Sequence, residues 1–164
     1  MATDLLITFL IGLLGGITPL AGAYFLRKNW IRAQLSESAK LYMDVSARWG
    51  TVLPKIYQLR NGPPDVDELK TAHKNIFDFM AGSRWTDELR PICNFYSDLG
   101  FLVDNGNVDL EKIVTLVTIS EEDFNRLKPL ISWINAEYEA RGYRNNLYQN
   151  WVKLIEQNRK LLEK

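Results

Sequence analysis

Cysteine and histidine each occur once in the 164 residues, as Cys93 and His73. One thiol closes no internal disulfide, so a stapled secreted domain is excluded and a reducing compartment fits best. One imidazole, with no acidic or thiol partners at ligand spacing, is a poor start for a zinc site of three or four ligands. Excess charge is missing too: 20 Lys and Arg balance 20 Asp and Glu. A neutral chain has no global attraction for long nucleic acid, and any such attraction would need a local patch. There is no G-x-S-x-G, no P-loop, no dinucleotide glycine fingerprint and no H-E-x-x-H, and no cofactor is expected. Period-2 alternation is also lacking. "LVTIS" at 116–120 is the only β-like run, and it is too short to carry a sheet.

Apolar residues make up 46% of the chain, yet its mean hydropathy is slightly negative, so they are unevenly spread. They concentrate first in residues 5–26, "LLITFLIGLLGGITPLAGAYFL", 22 positions without a charge. As a helix, this run reaches the ~30 Å thickness of a hydrocarbon core. A buried helix of a small domain would carry a polar face. A cleavable signal would suit the small-x-small Ala21-Gly22-Ala23, but it calls for a basic leader where this chain has Met-Ala-Thr-Asp. The basic residues Arg27, Lys28 and Arg32 lie on the far side. A single span fits these features best. Basic flanks stay cytoplasmic, so residues before the span are expected outside and residues from Arg27 onward inside. Tyr24 and Trp30 suit the interfaces. The expected organisation is an anchor over residues 1–27, a helical stalk over 28–48 and a cytoplasmic helical domain over 49–164, at the inner or cell membrane.

Gly12 and Gly16 form a G-x-x-x-G pair, and Pro19 and Ala23 continue much the same side of the run. Small residues let helix backbones approach closely in lipid, which predicts self-association or docking on another membrane protein. Glycine's general frequency in membrane helices, with a kink at Pro19, accounts for the same residues.

Beyond the run, helical periodicity continues. Trp49, Val52, Leu53, Ile56 and Tyr57 make an apolar stripe, with a bend or restart expected near Gly50 and Pro54. Asn61-Gly62-Pro63-Pro64-Asp65 is a loop. Helices are expected over 67–80, from Thr86 as cap to about 103, over 109–117, over 121–141 and over 146–162. Ser120 and Asp123 stand as a capping box, and Gly82 and Gly142 as terminators. The fold class is all-α: one N-terminal transmembrane helix followed by a bundle of about five or six helices.

Within this pattern, Asn94-Phe95-Tyr96, Leu99-Gly100, Leu102-Val103, Gly106 and Val108-Asp109 form a core of the type N-F-[YF]-x-x-[LIV]-G-x-L-V followed by Gly-x-[IV]-Asp. It resembles a family of prokaryotic membrane-anchored helical domains of unknown function. Weaker likeness continues through Leu127, Lys128, Pro129 and Ile131 and through "NWVKLI". The resemblance covers about half the chain and implies architecture and location, not an activity. Physically, Gly100 inside a helix costs about 1 kcal/mol relative to Ala, which a close helix crossing would explain. Asp109 sits where an N-cap belongs.

Candidate chemistry is sparse. His73 reads as a half-exposed helix residue, Cys93 as a small buried hydrophobe, and Glu121-Glu122-Asp123 as acids favoured in a helix first turn. Arg141, Tyr143, Arg144, Asn145, Asn146 and Tyr148 crowd one connection. They form either a solvated turn capped by Gly142 or a grip for a phosphate or small nucleotide. Two functions lead, with an enzyme on membrane substrates as a third option that would require converging polar side chains in a pocket. The first is a non-enzymatic anchored protein whose domain binds another protein or itself, with a homo-oligomer or a membrane-protein partner. The second is a ligand-gated membrane effector of a prokaryotic antiviral defence system.

Overall fold

The computed structural model describes the backbone of residues 2–143 and 148–163, and the side chains of 26–33, 36–143 and 148–163. Among the described residues all regular structure is helical and there is no strand, as the sequence pattern predicts. The helices are α1 (Ala2–Asn61), α2 (Val66–Ala72), α3 (Ile76–Ala81), a π-helical turn (Arg84–Leu89), α4 (Arg90–Asp104), α5 (Leu110–Ile113), α6 (Glu121–Ala140) and α7 (Gln149–Leu162). The chain divides into two compact units, Met1–Lys40 and Leu41–Lys164.

The first unit is residues of α1 alone. Gly12, Gly16, Pro19, Ala23 and the rest of the uncharged run up to Phe25 have side chains outside the described residues. Among the described residues, no helix is long and apolar enough to cross a membrane. At the end of the run Leu26 is 73% exposed, and just beyond it Trp30 is 61% exposed and Ile31 is exposed.

The second unit is built around the C-terminal third of α1. Val45, Val52, Ile56 and Leu59 are buried at helical spacing, so this stripe faces the core. The helix expected beyond the run is present, and instead of restarting near Gly50 and Pro54 α1 continues through both. A mid-helix proline costs about 3 kcal/mol, and burial of four aliphatic side chains, each contributing roughly 1.5–3 kcal/mol, outweighs it.

A second correction concerns residues 67–80, expected as one helix. The chain breaks at His73, whose extended backbone closes α2. Asn75 then starts α3, its Oδ1 accepting from the Phe77 and Asp78 amides at 3.0 and 3.1 Å. Asp65 caps α2 in the same way through Asp67 and Glu68. Each cap contributes roughly 1 kcal/mol, which favours two short capped helices over one continuous helix.

A third correction lies before α4. Thr86 is not a cap, because the π-helical turn passes straight into α4, with the Arg90 amide donating to the Trp85 carbonyl. Pro91 has no N–H to offer the preceding turn. The Asp87 carbonyl, four residues earlier, is instead taken by the Lys55 ammonium.

Two helix ends share one construction. At the end of α4 the Asn107 amide reaches the Leu102 carbonyl, and the Gly106 amide reaches that of Val103. At the end of α6 the Tyr143 amide reaches Tyr138, and Gly142 reaches Glu139. Both are Schellman motifs, and Gly106 and Gly142 have the positive φ, 68° and 81°, that the motif demands. Asp109 and Ser120 cap α5 and α6 as expected.

An aromatic chain runs through the core. Trp49 contacts Phe95 and Tyr96, Tyr96 stacks on Trp151 at 4.6 Å and 12°, and Phe124 meets Trp151 edge-on. The Tyr96 hydroxyl donates to the Thr118 carbonyl at 2.8 Å and Asn158 donates to that of Ile119. Together they hold the connection into α6. The tightest crossing joins α4 to α7: a Cβ on Gly100 would lie 2.1 Å from the Asn150 carbonyl oxygen. The predicted close approach at Gly100 is therefore found, and its partner is backbone.

Candidate functional site

The carboxylates at 121–123 do not converge. Glu121 pairs with Arg159 at 2.6 Å, Glu122 with Arg126 at 2.5 Å, and Asp123 with Arg60. The last is a two-pronged contact, Nε to Oδ1 and Nη2 to Oδ2, both 2.8 Å. Asp123 is fully buried. The Arg60 guanidinium is held above its already high ordinary pKa, chiefly by that hydrogen bond. Asp123 uses its carboxylate on Arg60 while its own amide donates to Ser120 Oγ. The reciprocal half of the expected capping box is therefore replaced by a tertiary ion pair.

His73 has its Nδ1 3.5 Å from the Asp78 carboxylate and its ring edge-on to Phe79. Cys93 is fully buried, and burial raises its thiol well above the ordinary 9.0, which removes thiolate chemistry at neutral pH. Among the described residues no three His, Cys, Asp or Glu side chains converge to hold a metal ion.

The turn expected to grip an anion is only partly described. Arg144, Asn145 and Asn146 lie outside the described residues. Arg141 places its guanidinium carbon 4.1 Å from the centre of the Phe77 ring, a cation–π contact. Tyr143 packs on Tyr138, also within the Schellman motif. Tyr148 is half-buried with φ 66°. Burial is the main cause of its raised hydroxyl pKa, with Cys93 adding and the Arg90 charge opposing. Each described member thus has a local partner of its own.

A polar concavity that no sequence pattern signalled lies elsewhere. Arg48 donates to Asp98 at 2.6 Å, and Lys55 to the Asp87 carbonyl. These pairs set residues 48–55 of α1 against the π turn and α4, running in opposite directions. Between them is a groove of about 290 Å³. Arg48, Thr51 and Val52 line it from α1, and Thr86, Arg90, Pro91, Asn94 and Phe95 from the other side. Arg90 and Asn94 are one helical turn apart and so share a face.

Both walls contribute cations, and no carboxylate lines the groove. Arg48 is fixed by Asp98 and lies over the Phe95 ring, 5.8 Å from its centre. Thr51 and Thr86 spend their hydroxyl protons locally, on the Arg48 carbonyl and on the carbonyls of Gly82 and Ser83 and the Asp87 carboxylate, so two acids, Asp87 and Asp98, adjoin the lining without forming it. The lining supplies charge and hydrogen-bond donors for an anion but no nucleophile or general base. Arg48 and Arg90 stand 42 positions apart, so only the tertiary fold brings them together.

No family model, curated protein or solved structure matches the chain.

Proposed function

We propose that the chain is a non-enzymatic, single-pass membrane-anchored protein of a prokaryotic cell. Its helical unit works on the cytoplasmic side, binding another protein or a second copy of itself. One observation carries this reading: the uncharged run 5–26 leads directly into Arg27, Lys28, Trp30 and Arg32. Basic residues beside an aromatic are the usual boundary of a span on its cytoplasmic side. Exposed Leu26, Trp30 and Ile31 support it, since such a group is costly on a helix facing water and suited to a headgroup region. The mechanism is tethering: confinement to the membrane raises the unit's local concentration beside its partner.

The G-x-x-x-G pair gives the reading its test. In sedimentation of the full chain in neutral detergent, Gly12→Ile/Gly16→Ile is expected to dissolve a defined oligomer. A monomeric parent chain would remove self-association through the span.

The groove between Arg48 and Arg90 favours a second reading, a ligand-gated membrane effector. Such a protein depolarises its host when its ligand is supplied, whereas a tether does not.

A further inference from the structure

We propose that the groove between Arg48 and Arg90 is a binding site for the phosphoryl end of a small molecule. Arg48 stands on one wall, and Arg90 and Asn94 stand on the other. Among the described residues the side chains of Arg90 and Asn94 make no hydrogen bond or ion pair. Neither has a hydrogen bond to give up on binding, and Arg90 gives up only its electrostatic pull on the Tyr148 hydroxyl. Arg48 is placed differently. Asp98 takes one edge of its guanidinium through Nη2 and Phe95 takes its face, leaving Nε and Nη1 for a ligand. This anchoring lowers the side-chain entropy lost on binding.

The donor set selects the ligand class. Two planar guanidiniums on facing walls suit the several oxygens of a phosphoryl group, and an amide adds a neutral donor. Because the π turn runs unbroken into α4, the backbone amides there are occupied and an anion depends on the side chains alone. At about 290 Å³ the groove lies at the small end of ligand pockets. It fits a phosphomonoester, a pyrophosphate or the phosphate end of a nucleotide, with Pro91 and Phe95 as its apolar surface. The inference supplies a ligand class for the effector reading. It rests on the groove, however, and stands independently of the membrane anchor.

The test uses the full chain in neutral detergent and inorganic pyrophosphate as probe, followed by calorimetry against chloride at matched ionic strength. Detergent doped with phosphatidic acid forms a second arm, which separates a lipid headgroup from a free phosphate. Saturable binding in either arm is expected, weakened about tenfold or more in Arg90→Gln and in Arg48→Gln. Arg159→Gln, a surface arginine paired with Glu121 outside the groove, is expected to bind as the parent. Arg90→Gln removes no hydrogen bond or ion pair among the described residues, only its electrostatic pull on Tyr148, and a urea midpoint equal to the parent's is expected, which separates lost binding from lost fold. Binding in neither arm overturns the proposal. Equal loss in Arg159→Gln and Arg90→Gln also overturns it, because it marks diffuse charge attraction.

Discussion

Replacing Gly100 by Ala sets two effects against each other. In a solvated helix the change stabilises by about 1 kcal/mol, because glycine gives up more backbone entropy on folding. Here the new Cβ would lie 2.1 Å from the Asn150 carbonyl oxygen and 2.6 Å from its carbon. Ordinary contact begins near 3.4 Å, so α4 and α7 must part by about 1.3 Å. Neither atom can rotate away, since both belong to the α7 backbone. The same crossing carries the Tyr96–Trp151 stack and the Lys153–Asp104 pair at 2.8 Å. Overpacking costs typically 1–3 kcal/mol, and a backbone obstacle puts this site at the upper end. Net destabilisation of about 2 kcal/mol is expected for Gly100→Ala. Gly50 is the matched control: it lies mid-helix in α1, and a Cβ added there would meet nothing within 4 Å. Gly50→Ala should therefore stabilise by about 0.5–1 kcal/mol. Urea unfolding of the full chain in detergent, followed by tryptophan fluorescence, compares the two variants. A Gly100→Ala chain as stable as the parent, or more so, would refute the close crossing.

Other consequences are equally direct. Arg60→Met strands the buried Asp123 carboxylate and should cost about 3 kcal/mol, the low end for a broken buried pair because Arg60 is partly exposed. Adding Asp123→Leu should recover part of that loss, and an additive double-mutant cycle would contradict the pairing. Burial raises the Cys93 thiol above its ordinary 9.0 and the Tyr96 hydroxyl above its ordinary 10.0. Above those values the unfolded chain releases protons that the folded chain keeps, so stability is full at pH 8 and falls as pH rises. The slope approaches about 1.4 kcal/mol per pH unit per group. Urea midpoints at pH 8, 9.5 and 10.5 should fall in order, and Cys93→Ala should reduce the decline between 9 and 10 by about half, the rest coming from Tyr96 and Tyr148, whose hydroxyls burial also raises. Tyr42→Phe deletes the acceptor for the Asp109 amide, 2.7 Å away. It should cost about 1 kcal/mol and speed hydrogen exchange at that amide.

What could be read in the sequence was local. The caps at Asp109 and Ser120, the terminating glycines at 82 and 142 and the buried setting of Cys93 follow from chemistry within a few residues. The all-α class follows from the period of the apolar positions. Three features hidden from that reading depend on contacts between distant segments. Gly50 and Pro54 signalled a bend or restart, but the helix continues because Val52, Ile56 and Leu59 are buried on either side of Pro54. The acids at 121–123 occupy the helix first turn as read, but their arginines come from positions 60, 126 and 159. The groove joins residues 48–52 to 86–95, and nothing in either segment announces the other. The split at His73 was legible in principle. Asn75 followed by Ile-Phe-Asp is an N-cap pattern, masked by an apolar stripe that continues across it.

Membrane anchoring through residues 5–26 is the centre of the functional reading, and one fractionation tests it. The full chain, expressed in bacteria, is extracted from membranes with high salt and then alkaline carbonate, beside a Leu10→Asp/Leu13→Asp variant. The parent chain is expected to stay in the pellet through both washes, and the variant is expected to leave it. Recovery of the parent chain in the soluble fraction before any wash would contradict the anchor.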